Sequence, residues 1–332
     1  MKKVVFLFAA TVAAFSMAMT GCQSQKRSSV NDTLQNDVTG ILEKHLSEFD
    51  AEAGKVIVVE TATGKIRAMA ALVKNGSAYT ADTLAFDCRH NSGLGQAVSL
   101  LAILEKGTLS LNSMIDTGNG VCVSRKSGDT IYDPNWQQGG YGEISLREVF
   151  TKGSEAGMAK AVEQSFTGNN QLLEQVRKIM DEEDAPESFV EGCWQGSNAS
   201  FHLLDFYNAI ANNGKMILTS DNENPIVVAN PQVAKAGNID SLRSVLRQFI
   251  TDGLGSKANS DKVNIAGACA TKAVGGSIYG DFIGYFPAEA PKYTVLVSLK
   301  RKSRPMSAGA MCGPILKEIA EHLCVGCDRR SR

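Results

Sequence analysis

The sequence lacks an excess of charge of either sign. Its 332 residues carry 34 Lys and Arg against 35 Asp and Glu, which gives a formal net charge of −1. Since proteins neutralise nucleic-acid phosphates with clustered Lys and Arg, and no long basic run is present, we do not expect nucleic acid as a partner. Proline is scarce, at 8 residues, and there is no low-complexity tract, so a long disordered region is not expected.

Histidine is also scarce. The sequence has four, namely His45, His90, His202 and His322. They show no metal-ligand spacing and no Ser/His/Asp order. A phosphate-binding loop is excluded because no Gly-Lys-Ser/Thr follows the glycine pair at 275–276, which is typical of a hairpin turn. We therefore expect neither a metal nor another cofactor.

The N-terminus has the pattern of an export signal. Met1 to Lys3 is basic, and an apolar stretch at 4–19 is too short and too rich in Ala, Thr and Ser for a membrane span. It ends in Met19-Thr20-Gly21-Cys22, which resembles the lipobox of bacterial lipoproteins, although that box usually begins with Leu. The resemblance implies a signal peptide at 1–21 and a lipid on Cys22 that anchors the exported chain in the cell envelope, in a leaflet left open. The alternative is an ordinary signal peptide with a chance cysteine.

Seven cysteines remain beyond Cys22, namely Cys88, Cys122, Cys193, Cys269, Cys312, Cys324 and Cys327. An odd number cannot all pair within one chain, although an exported compartment permits disulfides. Cys324 and Cys327 have the spacing of half a zinc site, but no second pair completes it. The sequence favours a terminal disulfide or free thiols over a metal site.

The first part of the mature chain divides into a tether and the start of one domain. Residues 22–36 form a polar, Ser-rich tether, and the domain is expected to cover 37–332. Two β-rich runs at 55–60 and 66–71 predict a hairpin in which Gly64 supplies the turn. Apolar residues then recur with helical spacing from Leu94 to Leu104, and Gly107 follows as a stop, which predicts a helix over 92–106.

The remaining patterns predict an α+β domain. Helical periodicity occurs at 145–152, 155–166, 170–180, 199–213, 240–252 and 308–323, and strands are expected at 281–286 and 292–299. Strands at both ends of the domain with helices between them indicate an antiparallel sheet that the last strands complete, with helices on both faces. There is no internal repeat and no second domain.

Five blocks of sequence occur in an order that is shared with a known family: 56–70, 104–118, 141–160, 194–215 and 265–293. The last block includes Ile265-Ala-Gly267 and Asp281-Phe-Ile-Gly-Tyr-Phe-Pro287. Together the blocks resemble the transpeptidase domain of penicillin-binding proteins, the acyl-serine enzymes that cross-link peptidoglycan, over about residues 54–322. The resemblance implies a β-lactamase-like fold and a role in peptidoglycan synthesis or remodelling.

The first catalytic motif of that family is missing from its expected place. The chemistry requires a Ser with a Lys one helical turn later, but these positions fall on Gly93 and Gln96. A shift of one residue brings in Ser92 and places Gly95 at the Lys position, and no Ser-x-x-Lys occurs anywhere in the sequence. We interpret Ser92 as the N-cap of the helix.

The second and third motifs are missing as well. Gly153-Ser154-Glu155 stands where the family has Ser-x-Asn, and we interpret Glu155 as a residue of a first helical turn. Ala268-Cys269-Ala270 replaces Lys-Thr-Gly, although Thr271 persists, and Lys272 lies too far along the strand to substitute. A strand cysteine with no neighbouring His or Lys is typical of a small packing residue, so we do not expect Cys269 to be a nucleophile.

Three hypotheses follow from a coherent framework without its catalytic residues. The favoured one is a lipoprotein that has lost acyl transfer and binds peptidoglycan stem peptides or cell-wall enzymes, with Ser92, Ser154 and Thr271 left in a residual cleft. The second is an active transpeptidase, carboxypeptidase or β-lactamase-like enzyme that uses relocated residues, since fold alone does not fix function. The third is a purely structural interaction protein.

Overall fold

The structure is a computed structural model and describes residues 29–82, 93–123, 128–181, 199–221, 223–302 and 306–328. The predicted signal peptide, Cys22, Cys88, His90, Ser92 and Cys193 lie outside these ranges. Within them, no helix combines the length and the apolar character that crossing a bilayer requires. Three of the described cysteines, Cys122, Cys269 and Cys312, are free thiols.

A six-stranded antiparallel sheet organises the domain. Its strands are β1 (Ala53–Glu60), β2 (Ile66–Asn75), β3 (Ala78–Ala81), β10 (Ala266–Val274), β11 (Ser277–Phe286) and β12 (Tyr293–Lys302), in the spatial order β10-β11-β12-β1-β2-β3. The last three strands of the chain therefore extend the first hairpin through the β12 and β1 pair. This confirms the α+β class and the antiparallel sheet that the sequence predicted.

Short strands form three two-stranded ribbons outside this sheet. They are β4 (Met114–Asp116) with β7 (Glu143–Ser145), β5 (Val121–Val123) with β6 (Thr130–Tyr132), and β8 (Met216–Ile217) with β9 (Val228–Asn230). The β5 and β6 hairpin leads directly into Asp133, a buried residue that becomes important at the site.

The described helices are α1 (Ser29–Glu48), α2 (Gln96–Lys106), α3 (Leu146–Thr151), α4 (Glu155–Ser165), α5 (Asn169–Met180), α6 (Ala199–Ala211), α7 (Ala236–Thr251) and α8 (Ala308–Asp328). All but α1 fall where the periodicity predicted a helix, within a few residues. A single 3₁₀ turn, Gly93–Gly95, precedes α2, and Gly107 ends α2 in the left-handed region.

The helices cover both faces of the sheet, as predicted. On one face lie α1 and α8, since a side chain at Gly54 would meet Leu42 and Leu46 of α1. On the other face lie α6, over β11 and β12, and α7, against β10. Because side chains alternate along a strand, odd-numbered residues of β1 face the α6 side.

Helix α1 was not predicted from the sequence. Residues 29–36 were assigned to the tether, but they form the first two turns of α1. Leu34 packs against the core, and the Gln35 side chain exchanges two hydrogen bonds of 3.0 Å with the backbone of Met69. The periodicity was missed because α1 offers about one apolar residue per turn, separated by polar ones. The ordered domain therefore includes residues 29–36.

Turn glycines fix the two hairpins of the sheet that the sequence located. Gly64 has a φ of +70°, and a side chain there would approach the carbonyl oxygen of Leu218 within 2.7 Å. Gly275 and Gly276 have φ of +56° and +77° and join β10 to β11 as a two-residue turn. Two consecutive positive φ values favour glycine in a tight hairpin turn.

Candidate functional site

The three motif positions lie on three segments that the fold brings together. The 3₁₀ turn at Gly93–Gly95 packs against the edge strand β10, and α2 packs against α4. The first motif thus lies at the start of α2, the second at the start of α4, and the third on β10. The three segments therefore pack against one another, and we refer to the surface where they meet as the cleft.

The first position presents neither a hydroxyl nor a cation. Gly93 adopts a φ that other residues can adopt, and a side chain built on it would meet only the Gln96 side chain, with its amide nitrogen at 3.4 Å. Tyr207 of α6 fixes this turn because its hydroxyl donates to the Leu94 carbonyl oxygen at 3.1 Å. The backbone of the turn is therefore held in place while its chemistry is absent.

Ser154, at the second position, is buried and fully engaged. It is the N-cap of α4, where its Oγ accepts from the Gly157 N–H at 2.9 Å and donates to Asp133 Oδ2 at 2.7 Å. The other oxygen of Asp133 accepts from the Ala156 N–H at 2.9 Å. Ser154 is 0% exposed. Its hydroxyl is consequently a structural cap and does not reach the cleft surface, contrary to its assignment to a residual cleft.

Glu155 follows in the first turn of α4, as expected, and its side chain reaches solvent. Crowding by the surrounding protein, together with the negative charge of Asp133, raises the pKa of its carboxyl above the ordinary value. The carboxylate lacks the Ser hydroxyl that a general base would serve.

Leu254 occupies the space that a side chain at Gly153 would need. Gly153 has a φ of +66°, and a Cβ there would lie 2.7 Å from Leu254 Cδ1. Leu254 follows α7, stays 45% exposed, and its carbonyl oxygen lies 4.0 Å from Cys269 Sγ. One leucine therefore spans from the second motif position to the third. No motif or periodicity in the sequence singled it out.

The Cys269 thiol is not a nucleophile at neutral pH. Burial raises the pKa of Cys269 to about 12, and a hydrogen bond from the Gly309 backbone offsets this only in part. The side chain lies on the face of β10 that is covered by α8. Because the thiolate is the reactive form, this raised pKa disfavours Cys269 as a nucleophile.

The other residues of the third motif also lack substrate-binding charge. Ala268 is buried, and Ala270 lies on the same face, partly exposed. Thr271 faces the opposite side, where its Oγ1 accepts from the Ala308 N–H at 2.7 Å and caps the start of α8. Thr271 therefore serves the fold and does not line the cleft. Lys272 shares the face of Ala268 and pairs across the sheet with Tyr279, two residues beyond Ala270.

An exposed aromatic pair stands beside the second position. Tyr132 of β6 and Trp136 contact each other with ring centroids 5.0 Å apart, and both are solvent-exposed. They flank Asp133, which anchors Ser154. In the described ranges, no group of three or more His, Cys, Asp or Glu is placed to hold a metal ion. The cleft therefore offers a ligand its shape, the edge of strand β10 and backbone hydrogen-bonding groups.

Comparisons with known proteins agree with this architecture. A family model described as the penicillin binding protein transpeptidase domain matches residues 54–321. No curated protein matches the sequence. A peptidoglycan glycosyltransferase structure from Burkholderia ambifaria aligns with a TM-score of 0.71 and 19% identity, over 90% of this chain and 97% of that chain. The apo TP domain of Burkholderia pseudomallei penicillin-binding protein 3 aligns with the same TM-score and identity, over 94% and 98%. At this identity the structural likeness concerns the fold.

Proposed function

Since the chain belongs to the penicillin-binding protein transpeptidase domain family, we propose that it is a non-catalytic member that binds peptidoglycan stem peptides or cell-wall enzymes. One observation carries this proposal: all three motif segments pack together, yet their described residues present neither a nucleophile with a base beside it nor a carboxylate-binding cation at the motif positions. A single missing residue could be replaced by a neighbour, whereas three simultaneous losses remove the whole acyl-transfer mechanism.

The geometry supports loss of chemistry rather than relocation within the cleft. Ser154 is buried and caps α4, and Thr271 accepts a hydrogen bond from the start of α8. The raised pKa of Cys269 keeps its thiol protonated at neutral pH. Ser92, the remaining candidate, lies outside the described residues. It has no Lys partner by sequence in either register, because position 95 is Gly and position 96 is Gln.

The cleft retains features that suit binding of an extended peptide. Strand β10 is the edge of the sheet, so one side of its backbone is not paired with another strand of that sheet. Edge strands bind extended peptides by adding a strand to the sheet, which gives affinity through main-chain hydrogen bonds. Gly93 and Ala270 add little bulk to the walls.

We propose that the chain is exported and anchored in the envelope through a lipid on Cys22. Helix α1 begins at Ser29, so six residues separate Cys22 from the ordered domain. Six extended residues span at most about 20 Å. The short tether keeps the domain within reach of the membrane surface, where peptidoglycan precursors and their enzymes meet.

The proposal is tested by titrating the purified full-length protein, in detergent micelles, with a pentapeptide muropeptide. We expect saturable binding without release of D-alanine. Ala270→Arg places a bulky side chain on the cleft face and is expected to weaken binding, whereas Ala273→Arg, exposed on the opposite face of the same strand, is the matched control. Release of D-alanine above the protein-free rate would contradict the proposal. Absence of binding would favour a purely structural role.

A further inference from the structure

A polar row crosses the face of the sheet that opens on the cleft. The strand register pairs Ala270 with Asp281, Asp281 with Ser298, and Ser298 with Lys55. Directly paired residues of antiparallel strands project from the same face. The four side chains therefore lie side by side across β10, β11, β12 and β1, on the face that carries α6.

Burial increases along this row from the cleft inward. Ala270 and Asp281 are partly exposed, whereas Ser298 is 5% exposed and Lys55 is 1% exposed. The row begins at the third motif position, on the edge strand. It ends three strands inside the sheet, beneath the start of α6. Apart from that of Lys55, the side chains of the row are small, so they project only a short distance from the sheet.

Lys55 lacks the partner that a buried ammonium normally has. Its Nζ donates to Ser200 Oγ at 3.1 Å, and within the described ranges it forms no salt bridge. An ammonium carries three N–H donors, so this bond uses one of them. Removing a charge from water is costly unless an opposite charge compensates it.

Two further observations show that the site favours an anion. The Ser298 hydroxyl, directly across from Lys55, is buried and has no hydrogen-bond partner among the described residues. Ser200 lies in the first turn of the 13-residue helix α6, whose N-terminal N–H groups carry partial positive charge. A buried cation that bonds Ser200 in the first turn of α6 and a buried hydroxyl on its cross-strand neighbour thus lie on the same face of the sheet.

We propose that this row binds a small amino acid or the end of a short peptide, with its carboxylate on Lys55 and on the hydroxyls of Ser200 and Ser298. Lys55 then supplies the cation that is missing at Ala268. This inference rests on the proposed function, because the row opens at the cleft.

The alternative is that Lys55 only fills space. Its neighbours in β1 are Val56, Ile57 and other apolar residues, so a Met at position 55 would pack without a charge. The alternative predicts that Lys55→Met leaves every ligand response unchanged. The proposal predicts that the same variant loses carboxylate binding while it retains the fold, as measured by circular dichroism.

The test measures binding of D-alanyl-D-alanine, its N-acetyl derivative and its C-terminal amide by calorimetry. The proteins are the full-length wild type, Lys55→Met, Ser298→Ala and the control Lys178→Met, an exposed lysine of α5. Loss of a charge-assisted hydrogen bond is expected to weaken binding at least about tenfold in Lys55→Met and with the amide. Ser298→Ala is expected to give a smaller loss, and Lys178→Met none.

Acetate separates this inference from the proposed function. We expect acetate to raise the melting temperature of the wild type and Lys178→Met but not of Lys55→Met, even if no peptidoglycan fragment binds. An equal response of the wild type and Lys55→Met to acetate and to the dipeptides would overturn the carboxylate site. Muropeptide binding that persists unchanged in Lys55→Met would overturn it too, while leaving the proposed function intact.

Discussion

Substitution Ser154→Ala tests whether the second motif position has become structural. The variant loses an N-cap, which costs about 1 kcal/mol, and a buried hydrogen bond to the Asp133 carboxylate, worth about 1.5–3 kcal/mol. Asp133 is itself buried and keeps only the Ala156 N–H of its two bonds to α4. We therefore expect the free energy of unfolding to fall by about 2.5–4 kcal/mol, with these two contributions combined.

Urea denaturation followed by circular dichroism measures this loss. Ser145→Ala is the matched control, since Ser145 caps the adjacent helix α3 through a capping box at the surface. Its cost should stay near 1 kcal/mol, the ordinary value of a cap. A loss below about 0.5 kcal/mol for Ser154→Ala, the lower limit for a cap alone, would refute the structural role. Equal losses for both variants would refute the contribution of Asp133.

Three further predictions concern single residues. For Gly93→Ser we expect the free energy of unfolding to stay unchanged or to rise by up to about 1 kcal/mol. The φ of Gly93 suits any residue, and the nearest atoms to an added Cβ belong to the Gln96 side chain. A lower free energy of unfolding in urea would contradict this. Brief alkylation at pH 8 and peptide mapping should find Cys269 unlabelled, since a pKa of about 12 leaves about one thiolate in ten thousand; rapid labelling would disprove the burial. Partial burial alone would raise the pKa of Glu318, but hydrogen bonds from Lys44 and His45 hold it below its ordinary value. Glu318→Gln should therefore be less stable than the wild type at pH 7, with the difference vanishing as the pH falls through the folded-state pKa; a pH-independent difference would argue against it.

Local patterns in the sequence were sufficient for most of the framework. The helical spacing from Leu94 to Leu104 and the stop at Gly107 located α2, and Gly64 located the first hairpin turn. These signals act within a few residues, so a single sequence contains them. Helix α1 was missed because its apolar residues are sparse, and its stability comes from packing on β2 and α8.

The segments that carry the predicted motif positions pack together, since the 3₁₀ turn at Gly93–Gly95 contacts β10 and α2 contacts α4. The state of each side chain was not predictable. The Ser154 hydroxyl is occupied because it donates to Asp133, which lies 21 residues earlier in the chain. Thr271 is engaged by Ala308, 37 residues later.

Leu254 and Lys55 show why long-range contacts escaped the sequence. Leu254 lies about one hundred residues from Gly153, and no pattern links the two positions. Lys55 begins the first β-rich run, and no local pattern in the sequence indicates that its side chain is buried. Its burial depends on α6, which begins more than 140 residues later.

Intact mass spectrometry after incubation with a reactive penicillin tests the central claim most directly, with an active transpeptidase as control. The chemistry requires a competent nucleophile but no knowledge of the natural substrate. Our account predicts that the folded protein keeps its unmodified mass while the control gains one penicillin per chain. A stoichiometric adduct on this protein would contradict the account, and peptide mapping would then locate the serine or cysteine responsible.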